Sequence, residues 1–188
     1  MNETLPFADL RPTVVLADSS PLIHLAAIDR LDLLAEMGRV VVVDVVRLET
    51  SFDLTKPYAK EISAWLEANA AAIELVDTDL GPLYEHALKH GLRPPRNSGE
   101  RAIVDWLAEN VVHAGGPALV IYENGKVPNM LRREGLPEDV VVMTSHYFLR
   151  LAQHRGLVDD AEQLWSEIEG IDHRANPQAE ATIIQRAM

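Results

Sequence analysis

Val14-Val15-Leu16-Ala17-Asp18-Ser19-Ser20-Pro21-Leu22-Ile23-His24-Leu25 is the stretch on which the fold turns. A short apolar run ends in a carboxylate. Two hydroxyl residues and a proline follow, and then a second apolar segment with helical spacing. Apolar runs of this length beside helical patterns read as buried strands of a parallel sheet. Asp18 then falls where the first strand ends and a helix begins, with Ser19 or Ser20 as cap and Pro21 in the first turn. In open α/β sheets ligands bind at this carboxyl edge. An acid there is either a charge satisfied by the backbone N–H groups of the helix start or the first ligand of a metal site.

The same alternation runs outward from this stretch. Residues 39–43 read as a second buried strand, with Asp44 capping the helix that carries Glu49. An amphipathic helix over 57–72, a short strand over 73–76 and a helix over 80–90 follow. The run Leu92-Arg93-Pro94-Pro95-Arg96-Asn97 excludes a helix and reads as a loop. Ser98-Gly99-Glu100 opens the next helix, which runs to about Val112. Strands at 118–121 and 140–142 end in Tyr122-Glu123-Asn124-Gly125 and in Thr144-Ser145, with a helix over 127–134 between them. Helices are expected over 146–155, 160–169 and 176–188. The sequence thus predicts an α/β fold in three layers, a central parallel sheet flanked by helices, with right-handed crossovers. Residues 1–12 read as a flexible lead-in and 13–155 as the domain. Residues 156–188 read as a helical extension packed on the domain or on a second subunit.

The 188 residues are enough for one domain with a sizeable core, and 47% hydrophobic with 24% charged is an ordinary globular composition. The absence of cysteine excludes disulfides and thiolate metal sites within the chain. The histidines are read as scattered, so no zinc site is expected. No apolar run approaches the roughly 18 residues of a membrane span. Nothing directs export, so the cytoplasm is the default location. With 17 basic and 29 acidic residues the net charge is −12, which argues against a general nucleic-acid binder but not against a nuclease whose site gathers acids around a cation.

Four acids fall at or just after the carboxyl edge: Asp18, Glu49, Glu100 and Glu123. They lie 31, 51 and 23 positions apart, so only the fold can bring them together. Clustered carboxylates repel and raise one another's pKa unless a cation intervenes. An all-oxygen set without His or Cys suits Mg²⁺ or Mn²⁺. Ions held in this way activate water and stabilise the leaving oxygen in phosphodiester hydrolysis. Asp105, five positions past Glu100, is a second-choice ligand. Ser19, Thr144 and Ser145 are candidates for holding a metal-bound water or a phosphate oxygen. Arg96, Arg101 and Lys126 are candidates for facing a phosphate backbone.

These residues resemble the PIN-domain family, in particular its VapC-like prokaryotic branch. The likeness rests on Asp18-Ser19-Ser20-Pro21-Leu22-Ile23, on Glu49, on Ser98-Gly99-Glu100-Arg101-Ala102-Ile103, on Leu119-Val120-Ile121-Tyr122-Glu123 and on Thr144-Ser145. It implies a PIN-like fold and a Mg²⁺- or Mn²⁺-dependent ribonuclease, with many members being toxins that pair with an antitoxin and form homodimers. Asp18, Glu49 and Glu100 carry over as metal ligands or water-positioning acids. Glu123 stands where the family usually has aspartate. The alternative is a catalytically weakened PIN-like domain acting as a protein- or RNA-binding module. A haloacid-dehalogenase-type phosphatase would need a second aspartate where Ser20 stands.

Overall fold

The computed structural model describes residues 5–110, 116–123, 125–134, 140–178 and 180–184. Six strands, β1 (Val14–Ala17), β2 (Arg39–Val43), β3 (Ile73–Val76), β4 (Ala118–Tyr122), β5 (Val140–Thr144) and β6 (Ala181–Ile184), form one sheet in the order β3-β2-β1-β4-β5-β6. The first five are parallel, and β6 is added antiparallel to β5. Every residue of β1, β4 and β5 is buried, as are residues 40–43 of β2. Successive side chains point to opposite faces, so both faces are covered and the architecture is three-layered α/β. The edge strand β3 differs, with Glu74 and Leu75 exposed.

The helices described are α1 (Ser19–Ala27), α2 (Asp32–Met37), α3 (Asp44–Ser51), α4 (Ala59–Ala68), α5 (Gly81–Lys89), α6 (Ser98–Asn110), α7 (Lys126–Glu134), α8 (Ser145–His154) and α9 (Ala161–Ile171). The expected end of α6 near Val112 lies outside the described residues. None of the described helices is long and apolar enough to cross a membrane.

The chain ends depart from their expected form. Residues 5–10, read as a flexible lead-in, are docked: Leu5, Phe7 and Leu10 pack against the core, and the Tyr147 hydroxyl donates to the Pro6 carbonyl. Within the helix expected over 176–188, residues 176–178 and 180 are non-helical and residues 181–184 form β6, while 179 and 185–188 lie outside the described residues; the stretch from Asp172 to β6 is called the arm below. Thr182 and Ile183 are β-branched and suit a strand, and β6 pairs antiparallel with the open edge of β5.

The sheet runs β1-β2-β3 to one side and β4-β5 to the other. The switch point therefore lies between β1 and β4, where their carboxyl ends leave a crevice. Asp18 follows β1 and Glu123 follows β4.

Candidate functional site

Asp18 occupies the N-cap position of α1 in extended conformation, yet its side chain makes no capping hydrogen bond. It is 5% exposed. Burial raises its pKa to about 7, and the charges of Glu100, Glu49 and Glu123 add to this against the opposing Ser19 N–H. A carboxyl so placed is a reservoir of unrelieved repulsion rather than a helix cap.

Glu49 projects from α3. It accepts hydrogen bonds from the Ser19 hydroxyl, the Tyr84 hydroxyl and the Gly99 N–H. These donors come from α1, α5 and α6. Burial raises its pKa; the Ser19 bond opposes this, and Glu100 reinforces it. The same contact pushes Tyr84 up to about 12, with burial the larger cause and Glu49 next. Gly99 lets Glu49 come close: a Cβ there would lie 2.8 Å from Glu49 Oε2. Glu100, in the first turn of α6 and 8% exposed, completes the group. Lys126 Nζ lies 4.0 Å from Glu100 Oε1 and donates to Asn97 Oδ1 at 2.7 Å.

Glu123 is held differently. Its Oε1 accepts from the Ser145 N–H (3.0 Å) and its Oε2 from the Asn176 N–H (3.1 Å). Burial pulls its pKa up, but His24, the Ser145 side chain and the Asn176 N–H outweigh it and hold the carboxyl below its usual range. His24 is 2% exposed, with Nδ1 3.6 Å from Glu123 and Nε2 3.5 Å from Asp172. Both separations are longer than a good hydrogen bond. Thr144 also serves the arm. Its hydroxyl donates to the Gln178 carbonyl (2.9 Å) and accepts from the Tyr147 and Glu180 N–H groups. Ser145 is fully buried, with its side chain beside Glu123. Asn124 lies outside the described residues.

Of the remaining candidates, Ser19 is in the site through Glu49. Asp105 pairs with Arg101 on the surface of α6 (3.4 Å) and faces a separate recess. Arg96 is an exposed loop residue. Asp44, expected to cap α3, is instead the first residue of that helix, whose N-cap is Val43; Asp44 accepts from Val45 N–H and from the N–H and hydroxyl of Thr78, which ties the start of α3 to the loop before α5. His86 on α5 and His90 at its C-cap stand four positions apart with ring centroids separated by 4.3 Å, a spacing that reading the histidines as scattered passes over.

No family model, curated protein or solved structure matches this chain.

The donor chemistry of Asp18, Glu49 and Glu100 fits a hard divalent cation, because three buried or half-buried carboxyls repel one another and offer only oxygen. As they stand, among the described residues, no group of three or more His, Asp or Glu side chains is arranged to hold a metal ion. Part of the reason is visible in Glu49, which is turned to Ser19, Tyr84 and Gly99.

Proposed function

We propose that the chain is a Mg²⁺- or Mn²⁺-dependent endoribonuclease of the PIN type, which hydrolyses RNA phosphodiester bonds. The observation that carries this reading is Asp18: an uncapping, buried carboxyl at the switch point, raised to about 7 by burial and by the acids around it. The residue pattern set out above supports the family, and the three-layer sheet agrees with it. Asp18, Glu49 and Glu100 would hold the cation, which when bound supplies Lewis acidity and an activated water. Ser19 and Tyr84 orient Glu49, and Gly99 lets it approach α6. Lys126 offsets the charge of Glu100. On the same reading the chain is a cytoplasmic toxin that forms a homodimer and is restrained by an antitoxin.

The deciding experiment is cleavage of a single-stranded RNA with Mn²⁺ by wild type and by Asp18→Asn. Wild type is expected to cleave, and the variant to lose at least 100-fold while remaining folded. Cleavage retained by Asp18→Asn would sink the assignment.

A second reading is a PIN-like module that binds protein or RNA without efficient catalysis. The commitment of both Glu123 oxygens to backbone N–H groups favours it, since the fourth acid is then occupied by the chain itself. Folded wild-type protein that binds RNA but never cleaves it would select this reading.

A further inference from the structure

Two recesses open on either side of Glu49. One, of about 320 Å³, is bounded by Ser20, Ile23, Tyr58, Asp172 and Arg174. The other, of about 410 Å³, is bounded by Leu48, Phe52, Tyr84 and Leu88. Glu49 and Lys56 belong to the walls of both. Each volume is at the low end for a small-ligand site, which suits one nucleotide apiece.

We infer that the two recesses form one groove for single-stranded RNA, with a nucleotide on each side of Glu49 and the linking phosphate at Lys56. The inference rests on the ribonuclease reading and names the residues that would carry the substrate.

Three features carry it. First, each recess has its own aromatic residue. Phe52 follows α3 and is 43% exposed, although its size would favour burial. Tyr58 precedes α4 at φ 62°, a left-handed backbone that a bulky residue seldom adopts. Such strain gathers at ligand clamps. Every base has a π-face, so paired aromatics hold single strands without regard to sequence. Second, the cations are spaced along the groove, with Lys56 at the shared wall and Arg174 in the recess that holds Tyr58. The same lining carries the carboxylates of Glu49, Asp53 and Asp172, so the two cations offset part of its negative charge rather than exceed it. Third, the nearby acids have partners of their own. Asp53 accepts from the N–H and hydroxyl of Thr55, and Asp172 accepts from the Arg174 N–H at 2.9 Å; the Arg174 guanidinium, 3.4 Å from the same oxygen, would have to turn from Asp172 to reach a phosphate. Arg174 comes from the C-terminal arm, so the arm supplies one wall of the groove.

The test is fluorescence anisotropy of a labelled, mixed-sequence single-stranded RNA of about twelve nucleotides, in EDTA, across a NaCl series. Lys56→Gln and Arg174→Gln should each weaken binding several-fold and lower the slope of log affinity against log salt by about 0.7. Phe52→Ala and Tyr58→Asn should each weaken binding about tenfold and leave that slope unchanged. Asn tolerates the left-handed backbone, so Tyr58→Asn removes the ring without adding strain. The KM for cleavage with Mn²⁺ gives a second readout, expected to rise in all four variants while kcat holds. Wild-type affinity, slope and KM in all four variants would overturn the groove while Asp18-dependent cleavage still upheld the ribonuclease. A folded wild type that neither binds nor cleaves RNA would overturn both.

Discussion

Two acid–glycine contacts look alike and should behave differently. A Cβ on Gly81 would fall 1.6 Å from Asp44 Oδ2, and a Cβ on Gly99 would fall 2.8 Å from Glu49 Oε2. Asp44 is buried and pinned by Val45 and Thr78, so it cannot yield. Gly81→Ala is therefore expected to cost about 2–4 kcal/mol, as overpacking against a fixed network does, measured by urea unfolding. Glu49 is the end of a longer, half-buried side chain and can swing aside. Gly99→Ala should cost under about 1 kcal/mol yet displace the carboxylate, so RNA cleavage falls at least tenfold while the melting temperature barely moves. Asp18 allows a pH test. Its folded pKa of about 7 lies above the ordinary 3.8, so the folded state binds the extra proton between these values. Stability conferred by the protonated form is then lost as pH rises from about 4 through 7. Asp18→Asn, which cannot ionise, should match wild type near pH 4 and exceed it above pH 7 by about 2–4 kcal/mol in EDTA. A flat difference across that range would show that Asp18 is not the stressed carboxyl.

Among the elements, the arm after α9 and strand β6 were the least legible. A four-residue strand at a sheet edge carries little pattern of its own, and here its partner β5 decides it. Strands β1, β2, β4 and β5 are legible because burial on both faces makes them continuous apolar runs ending in polar residues. The strand-end acids were legible for the same reason. What they bond to was not: Tyr84 reaches Glu49 from α5, and Asn176 reaches Glu123 across 53 positions. Thr144 shows the consequence. Placed from sequence near a metal or phosphate, it is instead the node where α8 and the arm meet. Thr144→Val keeps the volume and removes the hydroxyl, which leaves the Tyr147 N–H, the Gln178 carbonyl and the Glu180 N–H without it. The expected loss is about 1–3 kcal/mol in thermal or urea unfolding, with Thr144→Ser restoring most of it. Equal stability of the Val and Ser variants would mean that the arm is held by β6 pairing alone.

At the scale of the molecule, the fold divides four acids that look equivalent along the chain into two kinds. Asp18 and Glu49 are each raised by burial and by the charge of Glu100, whereas Glu123 is held below its usual range by His24, the Ser145 side chain and the Asn176 N–H. A cation relieves repulsion among the first three and has least to offer the fourth. Ligands that bind only the folded state stabilise it by RT ln(1 + [L]/Kd), about 2.7 kcal/mol at one hundred times Kd. For a domain of this size that corresponds to a rise of roughly 5–10 °C in melting temperature. Wild type should show this rise in millimolar Mn²⁺ relative to EDTA, and Asp18→Asn and Glu100→Gln should lose most of it. Glu123→Gln should melt lower in EDTA, because its amide offers one acceptor oxygen to two N–H groups, yet should keep the Mn²⁺ increment. A Glu123→Gln protein that loses the increment as fully as Asp18→Asn would place Glu123 among the ligands and require the arm to release it when the ion enters. Absence of any increment in wild type would leave the three acids as a strained cluster without a cation, and the binding module would then be the better reading of the whole chain.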